Sequence, residues 1–331
     1  MLYPLLKPVL FAVDPELAHD VSLEMLQQFH RLLPKRRVER PIRVMGLDFP
    51  NPVGLAAGLD KNADYLDGLS RLGFGFIEVG SVTPRPQPGN PQPRIFRLTR
   101  QRSLINRMGF NNKGVDYLVE RVRDRPRDYV LGINIGKNRD TPLERALDDY
   151  RAGFEKVYPY ADYIAINISS PNTPGLRELQ NEVALEGLLA GIDELRRRLE
   201  DRHQLHRPLA LKLSPDLDPR AIPEIADTLR RHRVDCLIAT NTTLDRGPVE
   251  GHRLAAENGG LSGAALCERS REVLEAFARE LRGELPIISV GGIDSVEEAR
   301  LRLELGASLI QIYTGLIYRG PGLVNRIARS L

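Results

Sequence analysis

The residues with the clearest chemical potential lie in one short segment, Asn167-Ile168-Ser169-Ser170-Pro171-Asn172-Thr173-Pro174-Gly175. It follows the apolar run 163–166, which predicts a buried strand, and its two prolines cannot continue a strand or a helix. The resulting loop presents two asparagine amides and three hydroxyl groups without a charged side chain. Such a set suits a flat, polar, small ligand, and it offers a hydroxyl group as an unusual proton acceptor.

Two lysines and several asparagines are predicted at the ends of other buried strands. A buried lysine is costly unless it faces an anion, so we expect either a structural ion pair or an anionic ligand beside Lys61 and Lys212. Asparagines offer both donors and acceptors to a heterocycle with carbonyl and N–H edges. Those at or near strand ends are Asn106, Asn134, Asn167, Asn172 and Asn241.

The elements that must position these residues are short apolar runs alternating with amphipathic segments. The predicted strands are 53–57, 75–80, 129–134, 162–168, 208–213, 234–239, 285–290 and 307–313. The predicted helices lie near 62–72, 112–124, 141–158, 181–200, 219–232, 266–282, 295–304 and 321–330. Eight such units indicate a parallel sheet covered by helices and closed into a (β/α)8 TIM barrel, with an open doubly wound sheet as the alternative.

Two connections of this barrel carry further signals. Glycine-rich turns at 290–293 and 313–315 follow the last two strands, where barrels commonly bind phosphate, and they suggest a phosphorylated cofactor. Residues 83–111 are too long for a plain strand-to-helix loop, so we expect a functional lid. That segment ends in residues 106–112, which could hold a substrate under an aromatic ring.

An N-terminal extension precedes the first barrel strand. Prolines limit a first helix to about 4–11, and Asp14-Pro15 is a favourable start for a second. One apolar helical face is predicted for the second helix, formed by Ala18, Val21, Met25, Phe29 and Leu32. A strongly basic stretch, 31–43, follows. The extension is interpreted either as helices packed on the barrel or as an amphipathic hairpin in a membrane interface.

Composition restricts the class of protein. The chain has 331 residues, a net charge of +3 and 42% hydrophobic residues, enough for one large core. Two distant cysteines, Cys236 and Cys267, indicate a reducing compartment, and six histidines without ligand spacing predict no metal site. No apolar stretch is long enough to span a bilayer, and the N-terminus lacks a signal-peptide pattern.

The motifs resemble those of dihydroorotate dehydrogenase, the flavin enzyme of pyrimidine biosynthesis. In order, they are GLAAGLDKN (54–62), TPRPQPGNPQPR (83–94), INRMGFNN (105–112), GINIGKN (132–138), INISSPNTPGLR (166–177), ATNTT (239–243), GGLSG (259–263) and VGGID (290–294). Class 1 of this family is cytosolic and uses a cysteine base, whereas class 2 is membrane-associated, uses a serine base and reduces quinone. Ser170 at the base position and the N-terminal extension resemble class 2 of prokaryotic type.

The resemblance implies oxidation of (S)-dihydroorotate to orotate in the synthesis of UMP, with hydride passing to FMN and electrons to a membrane quinone. It assigns residues 1–40 to a helical membrane and quinone-tunnel extension and 41–331 to the FMN-binding barrel. It also implies a monomer held peripherally at the cytoplasmic face of the inner membrane through the N-terminal helices, with no nucleic-acid partner.

Site residues follow from the resemblance position by position. FMN would contact Ala57, Gly58, Lys61, Ser81, Asn134, Asn167, Lys212, Thr240, Gly263, Gly292, Tyr313 and Thr314. Orotate would meet Lys61, Asn106, Arg107, Met108, Gly109, Phe110, Asn167, Asn172, Asn241 and Thr242. Ser170 would be the base, with Thr173 and a water beside Phe110 relaying its proton and Lys61 stabilising charge. The inner end of the quinone tunnel would be lined by His19, Arg97 and Tyr313.

Three other functions stay open on the sequence. A class 1-like enzyme would pass electrons to fumarate or NAD, but Ser170 and the extension argue against it. Another flavin barrel that reduces pyrimidines, such as a dihydrouridine synthase, would need a basic tRNA-binding domain that the sequence lacks. A non-catalytic, membrane-bound flavoprotein scaffold would not need Ser170, Lys61 and Asn172.

Overall fold

The structure, a computed structural model, describes residues 3–34 and 38–331, so Lys35, Arg36 and Arg37 of the basic stretch lie outside the described residues. It begins with a hairpin of two helices, α1 (Tyr3–Ala12) and α2 (Pro15–Gln28). Asp14 caps α2 as expected, because its Oδ1 accepts the backbone N–H groups of Glu16 (2.9 Å) and Leu17 (3.1 Å). Of the described helices, none is both long and apolar enough to cross a membrane.

The hairpin leaves a large apolar surface uncovered. On α1 the exposed apolar side chains are Leu5, Leu6, Val9 and the following Val13, and along α2 and just beyond it they are Leu17, Val21, Met25, Phe29, Leu32 and Leu33. Ala18, predicted on the same face, is instead buried. Leu17 takes the place predicted for Ala18, four residues before Val21, whereas the other four predicted residues of this face are exposed. An uncovered patch of this kind marks an interaction surface.

The hairpin is fastened to the last part of the chain. The Tyr3 hydroxyl group donates to the carbonyl of Ile317, and Lys7 Nζ donates to the carbonyl of Tyr318 at 2.9 Å. Phe11 packs edge-on against the Tyr318 ring, with centroids 5.3 Å apart. The first described helix therefore rests on the segment that follows the last barrel strand.

The main body is a closed barrel of eight parallel strands. They are β3 (Val53–Leu55), β4 (Phe76–Val82), β7 (Val130–Ile135), β8 (Tyr163–Asn167), β9 (Leu209–Leu213), β10 (Cys236–Ala239), β12 (Ile287–Val290) and β13 (Leu309–Ile312). β13 pairs with β3, placing Ile310 opposite Val53, and this pairing closes the ring. The TIM barrel prediction is confirmed, and the open-sheet alternative is wrong.

Helices cover the outside of the barrel. They are α3 (Leu66–Ser70), α4 (Val115–Val122), α5 (Ala146–Val157), α6 (Glu182–His203), α7 (Ile222–Arg231), α8 (Cys267–Leu281), α9 (Val296–Glu304), α10 (Thr314–Arg319) and α11 (Gly322–Ser330). The predicted helix 62–72 is reduced to α3, because the buried Asp60 carboxylate accepts the backbone N–H groups of Asn62, Asp64 and Tyr65 and holds that stretch in a turn.

The long segment 83–111 is a sheet rather than a plain lid loop. It contains β5 (Ile95–Leu98) and β6 (Ser103–Asn106), which pair in antiparallel orientation. β11 (Gly260–Gly263) adds a third strand to β6 from far along the chain. The sequence did not indicate these strands, since the stabilising partner strand is remote in sequence, and the role of the segment as a functional lid stays a prediction.

Aromatic rings fill the amino end of the barrel. A hairpin of β1 (Ile42–Val44) and β2 (Leu47–Phe49) precedes β3, and Phe49 is fully buried. Its ring lies 5.3 Å from that of Phe76, which in turn lies 6.5 Å from that of Tyr163. Gly54 makes room for this stack, because a Cβ atom there would lie 2.2 Å from the Phe76 ring. The hollow end of the barrel is consequently the opposite, carboxyl end.

Phe49→Ala should destabilise the barrel by about 3–5 kcal/mol, because it removes the outer ring of this stack and leaves a cavity. The measurement is the free energy of unfolding in urea. Asp48→Ala is the control, since Asp48 is exposed on the same strand and should change the value by less than about 0.5 kcal/mol. Equal effects of the two substitutions would contradict the role of Phe49 as the amino-end plug.

Candidate active site

One cavity opens at the carboxyl ends of the barrel strands and extends to the N-terminal hairpin, with a volume of about 380 Å³. Most of the predicted site residues line it. They are His19, Ala57, Gly58, Lys61, Ser81, Arg97, Asn106, Met108, Gly109, Phe110, Asn167, Ser170, Asn172, Lys212, Thr240, Asn241, Thr242, Gly263, Gly292, Tyr313 and Thr314. Three predicted residues, Arg107, Asn134 and Thr173, lie outside the lining.

A buried carboxylate lies beneath the floor of this cavity. Glu78 is fully buried on β4. It accepts hydrogen bonds from Asn134 Nδ2 at 2.8 Å, from the Tyr163 hydroxyl group at 2.8 Å and from Gln311 Nε2 at 2.6 Å. Because an ionised carboxylate only accepts, it requires each of these neighbours to donate. Glu78 thus fixes which way the Asn134 amide points.

Asn134 in turn orients the polar side chains of the cavity wall. With its N–H side turned to Glu78, Asn134 presents Oδ1 to the Ser81 hydroxyl group, which donates to it. The Ser81 oxygen then accepts from Asn167 Nδ2 at 2.8 Å, and Asn167 Oδ1 accepts from Asn241 Nδ2 at 3.2 Å. Asn134 therefore lies behind Ser81, which explains why a predicted cofactor contact does not reach the cavity.

The Ser170 loop is held in place by a neighbouring guanidinium group. Arg177 donates from Nε to the Ser169 carbonyl at 3.1 Å and from Nη2 to the Thr242 carbonyl at 2.8 Å, and its Nη1 pairs with Asp216 at 2.7 Å. These contacts join the loops that follow β8, β9 and β10. They keep Ser170 at the cavity wall beside the strand-end asparagines.

Ser170 itself is 6% exposed, and its Oγ accepts the Asn172 backbone N–H at 3.2 Å. Asn172 Nδ2 donates to Asn106 Oδ1 at 3.3 Å, which brings two predicted substrate contacts together. The Thr173 hydroxyl group is buried and has no hydrogen-bond partner within residues 3–34 and 38–331. An unpaired buried hydroxyl group costs free energy, so it is suited to a transient proton or water partner.

Phe110 forms an aromatic part of the wall. Its backbone has a φ of +54°, and its carbonyl accepts from Gln87 Nε2 at 3.2 Å and from Asn112 Nδ2 at 2.6 Å. Gly136 leaves space for the ring, since a Cβ there would lie 2.9 Å from Phe110 Cε2. Arg107 turns away instead, because its guanidinium pairs with Glu257 at 2.6 Å.

Two lysines line the cavity. Burial lowers the pKa of Lys61 to about 8, with the Glu16 carboxylate opposing and the Arg94 guanidinium adding to the shift. Lys61 is therefore mostly cationic at neutral pH, and its Nζ donates to the Gly58 carbonyl at 2.8 Å. Burial also lowers the pKa of Lys212, and the Glu78 carboxylate opposes that shift. An anionic ligand between the two would favour their charged forms.

Glycines supply bare backbone on another side of the cavity. Gly263 has a φ of +89° and Gly292 a φ of +77°, and a Cβ at either position would lie 2.4 Å from neighbouring backbone. Thr314 lies beside them, its hydroxyl group 2.9 Å from that of Ser262. Lysines, strand-end amides and exposed peptide groups together match a ligand with a phosphate group and a polar heterocycle. The donor set therefore fits the flavin mononucleotide expected from the sequence.

The end of the cavity next to the hairpin is more apolar. Burial lowers the pKa of His19 to about 3, and Lys61 adds to the shift, so the imidazole is neutral at neutral pH. Arg97 Nη1 donates to the Val13 carbonyl at 2.7 Å, and Tyr313 donates to the Gly58 carbonyl at 3.2 Å. Leu10, Leu23 and Leu26 are among the apolar residues of this end.

Sequence reasoning missed several residues that organise the site. Glu78 interrupts the apolar run Phe76–Val82, and that charge within a core strand was the available signal. Arg177 ends a motif that was recognised, but its three acceptors lie in separate loops. Glu16 on the hairpin pairs with Arg94 in the distant segment 83–94, and neither residue had a local signal. In the described part of the chain, no group of three or more His, Cys, Asp or Glu side chains could hold a metal ion.

The chain is similar to one family over most of its length. The family model for dihydroorotate dehydrogenase matches residues 41–331. A protein of Azoarcus sp. (strain BH72) named dihydroorotate dehydrogenase (quinone) is 55% identical over 332 residues, covering 100% of this chain and 98% of the relative. One of that name from Klebsiella pneumoniae (strain 342) is 54% identical, covering 100% of both chains.

A solved structure is also similar. The crystal structure of DHODH in complex with ferulenol from Eimeria tenella has a TM-score of 0.89 and 39% sequence identity, covering 96% of this chain and 90% of that chain. The ligand-free structure from the same organism has a TM-score of 0.88. The similarity therefore extends beyond the barrel strands to nearly the whole fold.

Glu78→Gln should lower the free energy of unfolding by about 1–3 kcal/mol, because one amide N–H would face donors that the carboxylate now satisfies. The measurement is urea unfolding of matched preparations. Glu120→Gln, an exposed position on α4, is the control with the same chemical change. A Glu78→Gln protein as stable as this control would contradict the assigned role of the carboxylate.

Proposed function

The chain belongs to the dihydroorotate dehydrogenase family, in its quinone-dependent class, and we propose that it oxidises (S)-dihydroorotate to orotate with FMN as cofactor and Ser170 as base. The observation that carries the proposal is the Ser170 hydroxyl group in the wall of a cavity whose other groups are lysines and strand-end asparagines. Neither cysteine is available for the role, because Cys236 is buried in β10, Cys267 begins α8, and both lie outside the described cavity lining.

FMN would be held by groups of three kinds. Gly263, Gly292 and Thr314 would receive the phosphate, where the backbone is unobstructed by side chains. The polar ring edge would meet Lys212 and Asn167, together with Ala57, Gly58, Lys61, Ser81, Thr240 and Tyr313. Bound FMN supplies a two-electron hydride acceptor. Asn134 would act indirectly, since it orients Ser81 from behind.

The proposed substrate is a ring with carbonyl and N–H edges and a carboxylate. Asn106, Asn172 and Asn241 would recognise the edges, because each amide offers both a donor and an acceptor. Lys61 would pair with the anionic part, in agreement with its mostly charged state at neutral pH. Met108, Gly109, Phe110, Asn167 and Thr242 would complete the pocket. Arg107 would support the segment through Glu257 rather than touch the substrate.

The reaction removes a proton from C5 and a hydride from C6 of dihydroorotate, so that a double bond forms between these carbons. Ser170 Oγ would take the C5 proton. One lone pair of Oγ already accepts the Asn172 N–H, which leaves the other for the proton. The hydroxyl proton must then leave Oγ, and the unpaired Thr173 hydroxyl group would pass it on through a water beside Phe110.

Electrons would leave through a quinone that enters from the hairpin side. His19, neutral at this pH, and Arg97 would line the inner end of that route with Tyr313. The exposed apolar stripe on α1 and α2 would lie in the membrane interface, and the exposed Arg31, Arg40 and Arg43 would favour anionic lipids. We propose that the protein acts as a monomer attached peripherally to the cytoplasmic face of the inner membrane.

Ser170→Ala should retain bound flavin but slow its reduction by dihydroorotate roughly 100-fold to 10,000-fold, the range that a positioned base supplies. The measurement is anaerobic bleaching of the flavin absorbance with no quinone present. The flavin spectrum and the binding of orotate serve as controls for an intact site. Rapid bleaching of this variant would exclude Ser170 as the base, and no bleaching of the wild-type protein would exclude the proposed substrate.

Met25→Ser/Phe29→Ser should weaken binding to phosphatidylglycerol-containing vesicles at least tenfold, because each side chain contributes roughly 1 kcal/mol or more when it leaves water. The measurement is co-sedimentation with vesicles, together with turnover of quinone dissolved in them. Val183→Ser is the control, since Val183 is 84% exposed at the start of α6 and away from the hairpin. Equal loss in the control, or undiminished binding of the double variant, would contradict the membrane surface assigned here.

A further inference from the structure

A nearly buried ion pair connects the N-terminal hairpin to the barrel. Glu16, on the first turn of α2, accepts from Arg94 Nε at 3.0 and 3.1 Å and from Arg94 Nη2 at 2.6 Å. The side chains are 12% and 10% exposed, respectively. Both residues lie outside the lining of the active-site cavity. A bidentate contact of this type fixes the orientation of the two side chains as well as the distance between them.

The other end of the same guanidinium holds a turn of the 83–94 segment. Arg94 Nη1 donates to the carbonyl of Pro88 at 2.8 Å and to that of Asn90 at 2.9 Å. Gly89, between them, is so close that a Cβ there would lie 2.9 Å from Nη1. One rigid, planar group therefore bridges the hairpin helix and the turn 88–90.

That turn supports the residues that meet the substrate. The Asn90 backbone N–H donates to the Met108 carbonyl at 3.0 Å, and Asn90 Nδ2 donates to the Arg107 carbonyl at 2.9 Å. A Cβ at Gly109 would lie 2.9 Å from the Asn90 side chain. The segment 107–110 is thus backed directly by the turn that Arg94 holds.

We propose that Glu16 and Arg94 form a coupling element through which the membrane-facing hairpin sets the position of the substrate segment 107–110. This inference rests on the proposed function, because it assigns dihydroorotate to the face of that segment. Loss of Glu16 leaves the guanidinium buried without its counter-charge, and Arg94 then no longer fixes the carbonyls of the turn. Glu16 and Arg94 are positioning residues, and neither touches the substrate.

The experiment measures flavin reduction by dihydroorotate in the full-length holoenzyme without quinone, so that events at the quinone end cannot contribute. Glu16→Gln should raise the dihydroorotate concentration that gives half-maximal bleaching rate by roughly threefold to thirtyfold, with a smaller change in the maximal rate. Orotate affinity, followed by the flavin spectrum, should fall by the same factor. Glu24→Gln, an exposed carboxylate on the same helix, is the matched control and should leave both values unchanged.

Measurements on a second variant, Arg94→Met, separate the proposed coupling from a general loss of structure. In Arg94→Met the guanidinium is absent, so adding Glu16→Gln to it should produce little further change in the half-saturating concentration. If these proteins fail to retain flavin, Glu16→Leu/Arg94→Met replaces the pair by apolar groups, and its melting temperature should stay near that of the wild type while the dihydroorotate requirement still rises.

The outcomes distinguish failure of the coupling from failure of the proposed function. Bleaching of the wild-type protein followed by unchanged saturation in Glu16→Gln would overturn the coupling and leave the function intact. Effects of Glu16→Gln that multiply with those of Arg94→Met would also overturn it, because Glu16 would then act by another route. A wild-type protein that dihydroorotate does not bleach would instead refute the proposed function.

Discussion

The arrangement of the site depends on one acceptor-only group inside the barrel, the carboxylate of Glu78. Amide side chains can present either a donor or an acceptor to a ligand, and a polar pocket built from them has no inherent direction. Three donors from β7, β8 and β13 converge on this carboxylate, which removes that ambiguity for Asn134 and, through Ser81, for Asn167. The electrostatic cost of burial is offset by these contacts.

The amino end of the barrel contributes mainly to stability, whereas the carboxyl end holds the polar site. Rings from Phe49, Phe76 and Tyr163 fill the amino end, so the strands are held at fixed spacing where the chain needs rigidity. The Tyr163 hydroxyl group also reaches Glu78, and the aromatic stack is thereby continuous with the polar network. At the carboxyl end the loops are tied to one another by Arg177 rather than by an apolar core. Because no apolar core is needed to hold these loops together, polar side chains can line the cavity.

The sequence allowed most of the framework to be predicted because parallel strands buried on both faces are nearly continuous apolar runs. All eight barrel strands and the capped start of α2 were recognisable from neighbouring residues. The three-stranded sheet that includes β5 and β6 was not, since its third strand, β11, comes from residues 260–263. Arg107, Asn134 and Thr173 were assigned by position in motifs, but their side chains are directed by Glu257, Glu78 and burial, respectively, and none of these is visible in the motif itself.

The contact between α1 and the segment after β13 has a consequence for biosynthesis. Tyr3 and Lys7 leave the ribosome long before their acceptors, the carbonyls of Ile317 and Tyr318, which lie 314 and 311 residues further along the chain. β13, which closes the barrel against β3, also emerges only then. A nascent chain therefore displays its apolar hairpin until β13 has emerged, because the barrel that would anchor the hairpin is still open. The hairpin can dock on the barrel, and the barrel can close, only late and at the same stage of synthesis. A chain that stops before β13 can therefore do neither.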